Sequence, residues 1–225
     1  MDIKNDIHIM EMNDKLYQRL KQSELVIHAK VESILRQISS WKYATHEFYV
    51  PAPYQNELAG LPNGRIRKNI EEKDRLKIAG LYSFGFNAEG KILCSQEAPD
   101  NIGNGIITDI YEYDDVFSYH VFHVRYIPNQ YTIIISISYF YPYHEMNIFQ
   151  GINSYKDWSV YLYEYDKERI SKVHRYASRW GNMPAEEYNF AYENNLLCAI
   201  VGEKRLKNGE LYIHWKNKKV YNKER

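Results

Sequence analysis

The chain has 225 residues, 44% of them hydrophobic and 15% aromatic, with 22 tyrosines; such a composition supplies a buried core and excludes a disordered chain. Lys plus Arg and Asp plus Glu balance at 29 each, so no global field gathers nucleic acid or anionic lipid, and a charged partner must be met by a local patch. No stretch approaches the ~20 apolar residues that span a bilayer, and the start lacks a basic region followed by an apolar run.

From Asn13 to about Trp41 the period is helical: Leu16, Leu20, Ile27, Val31, Ile34, Ile38 and Trp41 recur at intervals of three, four or seven. Asn13 or Asp14 is a suitable N-cap. An uninterrupted helix over this span would be a rod of about 40 Å. The following "EFYVPAPYQNELAGLPNG" holds three Pro and two Gly and reads as a connector that ends the helix.

Beyond it the period becomes two. Leu76, Ile78, Tyr82, Phe84 and Phe86 alternate with small or polar residues, and "YTIIISISYFY" places Ile133, Ile135, Ile137, Tyr139 and Tyr141 on one face of a central strand. Turn signals stand at 87–91, 127–130, 194–195 and 207–210. Cys94 and Cys198 lie in apolar contexts without metal-ligand spacing, which predicts buried free thiols in a reducing, cytoplasmic setting. The expected fold is therefore mainly β (α+β): a helical segment over 1–45, a connector over 46–74, and an antiparallel meander over 75–225, packed on one face and partly covered by the helix.

The string "YEYD" occurs at 111–114 and 163–166, with looser copies at 84–87 and 188–193. First aromatics at Tyr82, Tyr111, Tyr161, Tyr188 and Tyr212 give a period of roughly 26 residues if one degenerate copy lies near 136. Each copy is one hairpin. Same-face rings on one strand need same-face rings on the next, so the tyrosines read as a building unit. In "FGFNAEGKI", Phe84, Phe86, Asn87, Gly90, Lys91 and Ile92 follow the pattern Tyr-x-Tyr-Asp-x-x-Gly-Arg-Leu; "YEYDKERI" keeps Tyr163, Tyr165, Asp166, Arg169 and Ile170. This resembles the tyrosine-aspartate (YD) repeats of Rhs and teneurin proteins, which build a sheet shell around a polymorphic toxin. A short chain of YD-like hairpins behind a helix is similar in style to the immunity proteins encoded beside such toxins. The resemblance implies a non-enzymatic protein that binds and neutralises a cognate toxin protein.

Residues 97–124 contain Glu97, Asp100, Asp109, Glu112, Asp114 and Asp115 and no Lys or Arg. Asp109, Glu112, Asp114 and Asp115 are accordingly candidates for docking a basic partner, joined by Arg179, Trp180 and Met183 in the loop "SRWGNMPAEEY", residue types enriched at interface hot spots. The alternative reading of the acidic run is a solvated hairpin end. Two other classes compete. The last 22 residues carry eight basic and two acidic residues with Tyr212, Trp215 and Tyr221 between them, a pattern that stacks on single-stranded nucleic acid or guards a terminal edge strand. An enzyme would need a pocket of His120, His144 and Glu145; His120 and His123 point to opposite faces of a strand and cannot share one site. No metal or cofactor motif is evident.

Overall fold

The computed structural model describes residues 6–61, 64–99, 105–178, 186–194, 196–205 and 211–217. Two helices lead, α1 (Ile7–Ser23) and α2 (Ile27–Arg36), followed by β1 (Ser40–Ala44), the short turn of helix α3 (Gln55–Leu58) and the two-residue β2 (Ile66–Arg67). The remainder is a run of hairpins: β3 (Tyr82–Phe86), β4 (Ile92–Glu97), β5 (Ile106–Tyr113), β6 (Tyr119–Ile127), β7 (Tyr131–Tyr143), β8 (Met146–Asn153), β9 (Trp158–Asp166), β10 (Arg169–Ala177), β11 (Glu186–Glu193), β12 (Leu196–Arg205) and β13 (Leu211–Lys216). Among the described residues these form one antiparallel sheet of 13 strands, a meander from β3 to β13 extended at the β3 edge by β1 and then β2. The protein is mainly β, with the helices at its start. Among the described residues no helix is long and apolar enough to cross a membrane.

The helical stripe buries the expected residues: Leu16, Leu20, Ile27, Val31 and Ile34 pack on Ile110, Phe122, Val124, Ile134 and Ile137. Its extent differs. The helix starts earlier, with Asp6 as N-cap accepting from the Ile9 N–H at 3.2 Å, and breaks at residues 24–26. There the backbone tightens to bonds of the i to i−3 type, Glu24 N–H to Lys21 O and Val26 N–H to Ser23 O, leaving Leu25 93% exposed. It ends at Arg36, and Trp41 belongs to β1, where it packs on the sheet. The apolar period survives the break because the intervening turn is itself helical, so spacing alone conceals it.

Two strand expectations also shift. Residues 75–80 are turns, and the sheet proper begins at Tyr82. A β-bulge opposite His123 and Val124 inserts Ile135 into β7, so Ile134, not Ile133, shares the helix face with Ile137, Tyr139 and Tyr141. Ile133 is 49% exposed. Both cysteines are buried free thiols, and burial pushes Cys94 up to about 12.

The sheet is covered on both faces, where packing on one was expected. Opposite the helices runs the connector: Tyr49 packs edge-on to Phe84 and Phe86, the Pro51 carbonyl accepts from the Tyr119 hydroxyl at 2.5 Å, Tyr54 meets Phe190, and the Leu58 carbonyl is 2.7 Å from His214 Nε2. The stretch from Tyr49 to Leu58 reaches at most about 30 Å when extended, whereas the ten strand spacings from β3 to β13 amount to about 48 Å in a flat sheet. The sheet is therefore bent around the connector. The rings of the repeated motif face this side: Tyr111, Tyr113, Tyr119, Phe140 and Tyr163 form a chain of neighbouring aromatics, Phe149 and Tyr161 pair in the same cluster as Tyr163, and Phe84 packs with Tyr49 and Phe86.

Candidate functional site

Strand alternation sends the acidic run in three directions. In β5, Thr108, Ile110 and Glu112 face the helices, while Asp109, Tyr111 and Tyr113 face the connector. Glu112 receives Lys30 Nζ at 2.7 Å and Arg19 Nη2 at 3.1 Å. Burial alone would raise its carboxyl, but the hydrogen bonds and charges of Lys30 and Arg19 together hold it below the usual range. Asp109 is buried on the opposite side. Neither belongs to an outward docking patch, because the two-residue period that groups charges in sequence separates them across the sheet. Glu112→Ala removes the carboxylate that Lys30 and Arg19 share; the expected cost is about 1–3 kcal/mol, read from urea denaturation.

Asp114 and Asp115 remain at the surface, in the β5–β6 turn. Asp115 Oδ1 accepts from the N–H groups of Phe117 and Ser118 at 2.6 and 2.7 Å, and these bonds hold its carboxyl below the usual range. The turn thus presents Val116, 81% exposed, and Phe117, 70% exposed, on a fixed backbone beside two carboxylates. Arg179, Trp180 and Met183 lie outside the described residues.

The histidines separate as their alternation requires. His120 lies beneath α1, stacked on Tyr139 at 4.0 Å with Arg19 Nη1 at 2.9 Å from its Nε2. Burial and then the Arg19 charge push it down to about 4. It is neutral and accepts from Arg19, so the 3.3 Å approach of Asp114 is not an ion pair. His144 occupies the exposed β7–β8 turn at φ 54° against Tyr143, with Glu145 exposed beside it. The postulated pocket of His120, His144 and Glu145 is not assembled. In the terminal strand, Trp215 packs against the core of Tyr163, Val173 and Ile200, which removes one ring from any stacking platform; residues 218–225 lie outside the described residues.

A third arrangement was not anticipated. Between the connector and the sheet lies a cavity of about 400 Å³, lined by Glu47, Glu97, Asp109, His123, Tyr82 and several small residues. His123 Nδ1 is 2.7 Å from Asp109 Oδ1, and Asp109 Oδ2 accepts from Ser95 Oγ at 3.2 Å. Burial alone would lower His123, but the hydrogen bond and charge of Asp109, reinforced by Glu47 and Glu97, raise it. Burial, then the Asp109 charge, pushes Glu47 up to about 7 against the opposing influence of His123. Burial and Glu97, which accepts its hydroxyl hydrogen bond, raise Tyr82. These residues come from the connector and four strands, β3 to β6, and have no common spacing. The available signal was the row of small residues, Ser136 and Ser138 in β7, Gly151 in β8 and Ser159 in β9, where neighbouring same-face positions are aromatic. Gly151 lies close beneath Ser138: a Cβ there would meet Ser138 Oγ at 2.5 Å and the hydroxyl would have to turn away.

No protein family, curated protein or solved structure matches this chain.

Proposed function

We propose that the protein is a non-enzymatic binding protein of the immunity type, which captures and neutralises a basic toxin protein through the β5–β6 turn. The observation that carries this reading is the exposed Val116–Phe117 pair, held rigid by Asp115 and accompanied by the Asp114 carboxylate. An apolar anchor beside fixed negative charge suits a basic partner: the ring supplies desolvated contact and the carboxylates speed encounter and exclude acidic competitors. The hairpin frame behind it resembles the YD repeats of toxin systems, which gives the partner its class. The His123–Asp109 pair does not favour catalysis, since among the described residues no nucleophilic side chain hydrogen-bonds to the His123 ring.

Co-expression with the protein encoded beside its own gene, followed by size-exclusion chromatography, tests the reading. Co-elution is expected from the wild type, together with at least a tenfold loss of affinity in the Asp114→Lys, Phe117→Ser double variant. Phe117 is exposed, but Asp114 touches His120 and Tyr139, so circular dichroism verifies that the double variant is folded and Phe117→Ser alone serves as the variant that leaves those contacts intact. Asp115 is left intact because it caps the turn. A complex that survives both substitutions removes the turn from the interface, and a wild type that ignores the neighbouring product removes the immunity reading.

A further inference from the structure

We infer that a second pocket, beside the first residues of β5, is a binding site for a free α-amino acid with an apolar side chain, held by its ammonium and its carboxylate together. Its walls include Glu97, Ile107, Arg125, Tyr131 and Ile133, and its volume is about 570 Å³, within the range of sites that enclose a whole small molecule. Ile107 and Arg125 stand at the ends of β5 and β6 remote from the β5–β6 turn, so the site is separate from the proposed docking surface.

Strand register sets the spacing of the charges. Glu97 pairs with Ile107, Ile107 with Arg125 and Arg125 with Ile133, which places the four side chains in one row across β4 to β7 on the connector face. The acid and the base are thus two strands apart, about 9.6 Å between backbones, with an isoleucine between them. Among the described residues no ion pair joins them, and Arg125 makes no hydrogen bond, ion pair or ring contact at all. Its stem nevertheless has a fixed seat: it lies against Gly105, where a Cβ would meet Arg125 Cγ at 2.8 Å. Glu97 accepts from the Tyr82 hydroxyl and keeps lone pairs for further donors.

A guanidinium without an acid and a carboxylate without a base, facing one pocket, match a ligand that carries both charges. The carboxylate of an amino acid takes the planar fork of Arg125 in two parallel N–H···O bonds, and its ammonium donates to Glu97. Two such bonds of about 2.8 Å each, with the single carbon between the ligand's charges, bridge most of the gap above Ile107. A simple carboxylic acid would meet Glu97 unfavourably, and a simple amine would meet Arg125 unfavourably. The third group of the ligand is selected by the apolar wall. Tyr131 and Ile133 are each 49% exposed, and a branched or aromatic side chain laid over them removes apolar area from water.

Isothermal titration calorimetry with leucine and phenylalanine tests the proposal. The controls keep each side chain and lack one charge: isocaproate and isoamylamine for leucine, phenylpropionate and phenethylamine for phenylalanine. Saturable binding of at least one amino acid is expected, with its one-charge analogues at least tenfold weaker, and Arg125→Gln and Glu97→Gln should each weaken it tenfold or more. Circular dichroism verifies that the variants are folded; Arg125→Gln keeps the stem against Gly105, and Glu97→Gln keeps an oxygen for the Tyr82 hydroxyl. Absence of saturable heat with both amino acids at millimolar concentration would overturn the assignment. So would equal binding of an analogue lacking either charge, or affinity unchanged in either variant.

Discussion

Tyr163→Ala is expected to destabilise the fold by about 3–5 kcal/mol, whereas Tyr163→Phe should be neutral or slightly stabilising. Tyr163 is fully buried and packs with Ile170, Val173, Tyr188 and Ile200, and against the connector's Ala52 and Leu58. Truncation removes the ring that joins the Phe140 side of the layer to the later hairpins and leaves a void that a bent sheet with cover on both faces closes poorly. The hydroxyl contributes differently. It is buried without a hydrogen-bond partner among the described residues, and burial raises its pKa well above the ordinary value, so deleting it removes an unsatisfied polar group. Urea denaturation of the three proteins separates the two roles. A small loss with Ala, or a large loss with Phe, would show that the rings are not what holds the hairpins together.

The second large effect is on pH. Stability should decline from about pH 6.5 to pH 8, and Glu47→Gln should flatten much of that decline. The Glu47 carboxyl has an ordinary value of 4.5 and is pushed up to about 7 in the folded chain. Between those values the folded state keeps a proton that the unfolded state has released, so stability is greatest below the lower value and is lost as pH rises through the higher. A full shift of that size corresponds to roughly 3 kcal/mol, and residual solvent contact brings the expected loss nearer to about 2 kcal/mol. His123 acts in the same direction, since its folded value is also raised. On the acid side the order reverses. His120, pushed down from 6.5 to about 4, and Glu112, held below its ordinary value, both bind protons more readily when unfolded, so their contributions disappear as pH falls through their folded values, and below about pH 6.5 the His120 contribution offsets that of Glu47. Thermal denaturation from pH 4 to pH 9 should therefore give a dome whose alkaline slope depends on Glu47. An alkaline slope identical in Glu47→Gln would show that this carboxyl is not held protonated.

The two predictions act on the same face of the sheet. Tyr163 belongs to the part of the aromatic layer that is filled, and Glu47 faces the part that small residues leave open. The connector serves both, carrying apolar cover in Ala52 and Leu58 and the carboxylate in Glu47. Filling one region with rings while leaving the other polar is how a single repeated hairpin can provide a core and a pocket together.

Much of this was legible in the chain. The two-residue period located the long strands, the spacing of Tyr82, Tyr111, Tyr161 and Tyr188 marked alternate members of the hairpin series, and the apolar stripe identified which residues of the helices would be buried. The separation of His120 from His123 was also readable, because alternation in a regular strand has only two outcomes. These features depend on the dihedral preferences and side-chain directions of residues near one another in sequence. What the tertiary structure alone decided was the path of the connector, the bend of the sheet around it, and the fate of each charge. Glu112 and Asp109 are three residues apart and serve opposite faces; Glu47 meets Asp109 only because the sheet wraps back over a segment with no period of its own. Closure of that kind is set by packing across the whole molecule, and no local pattern records it.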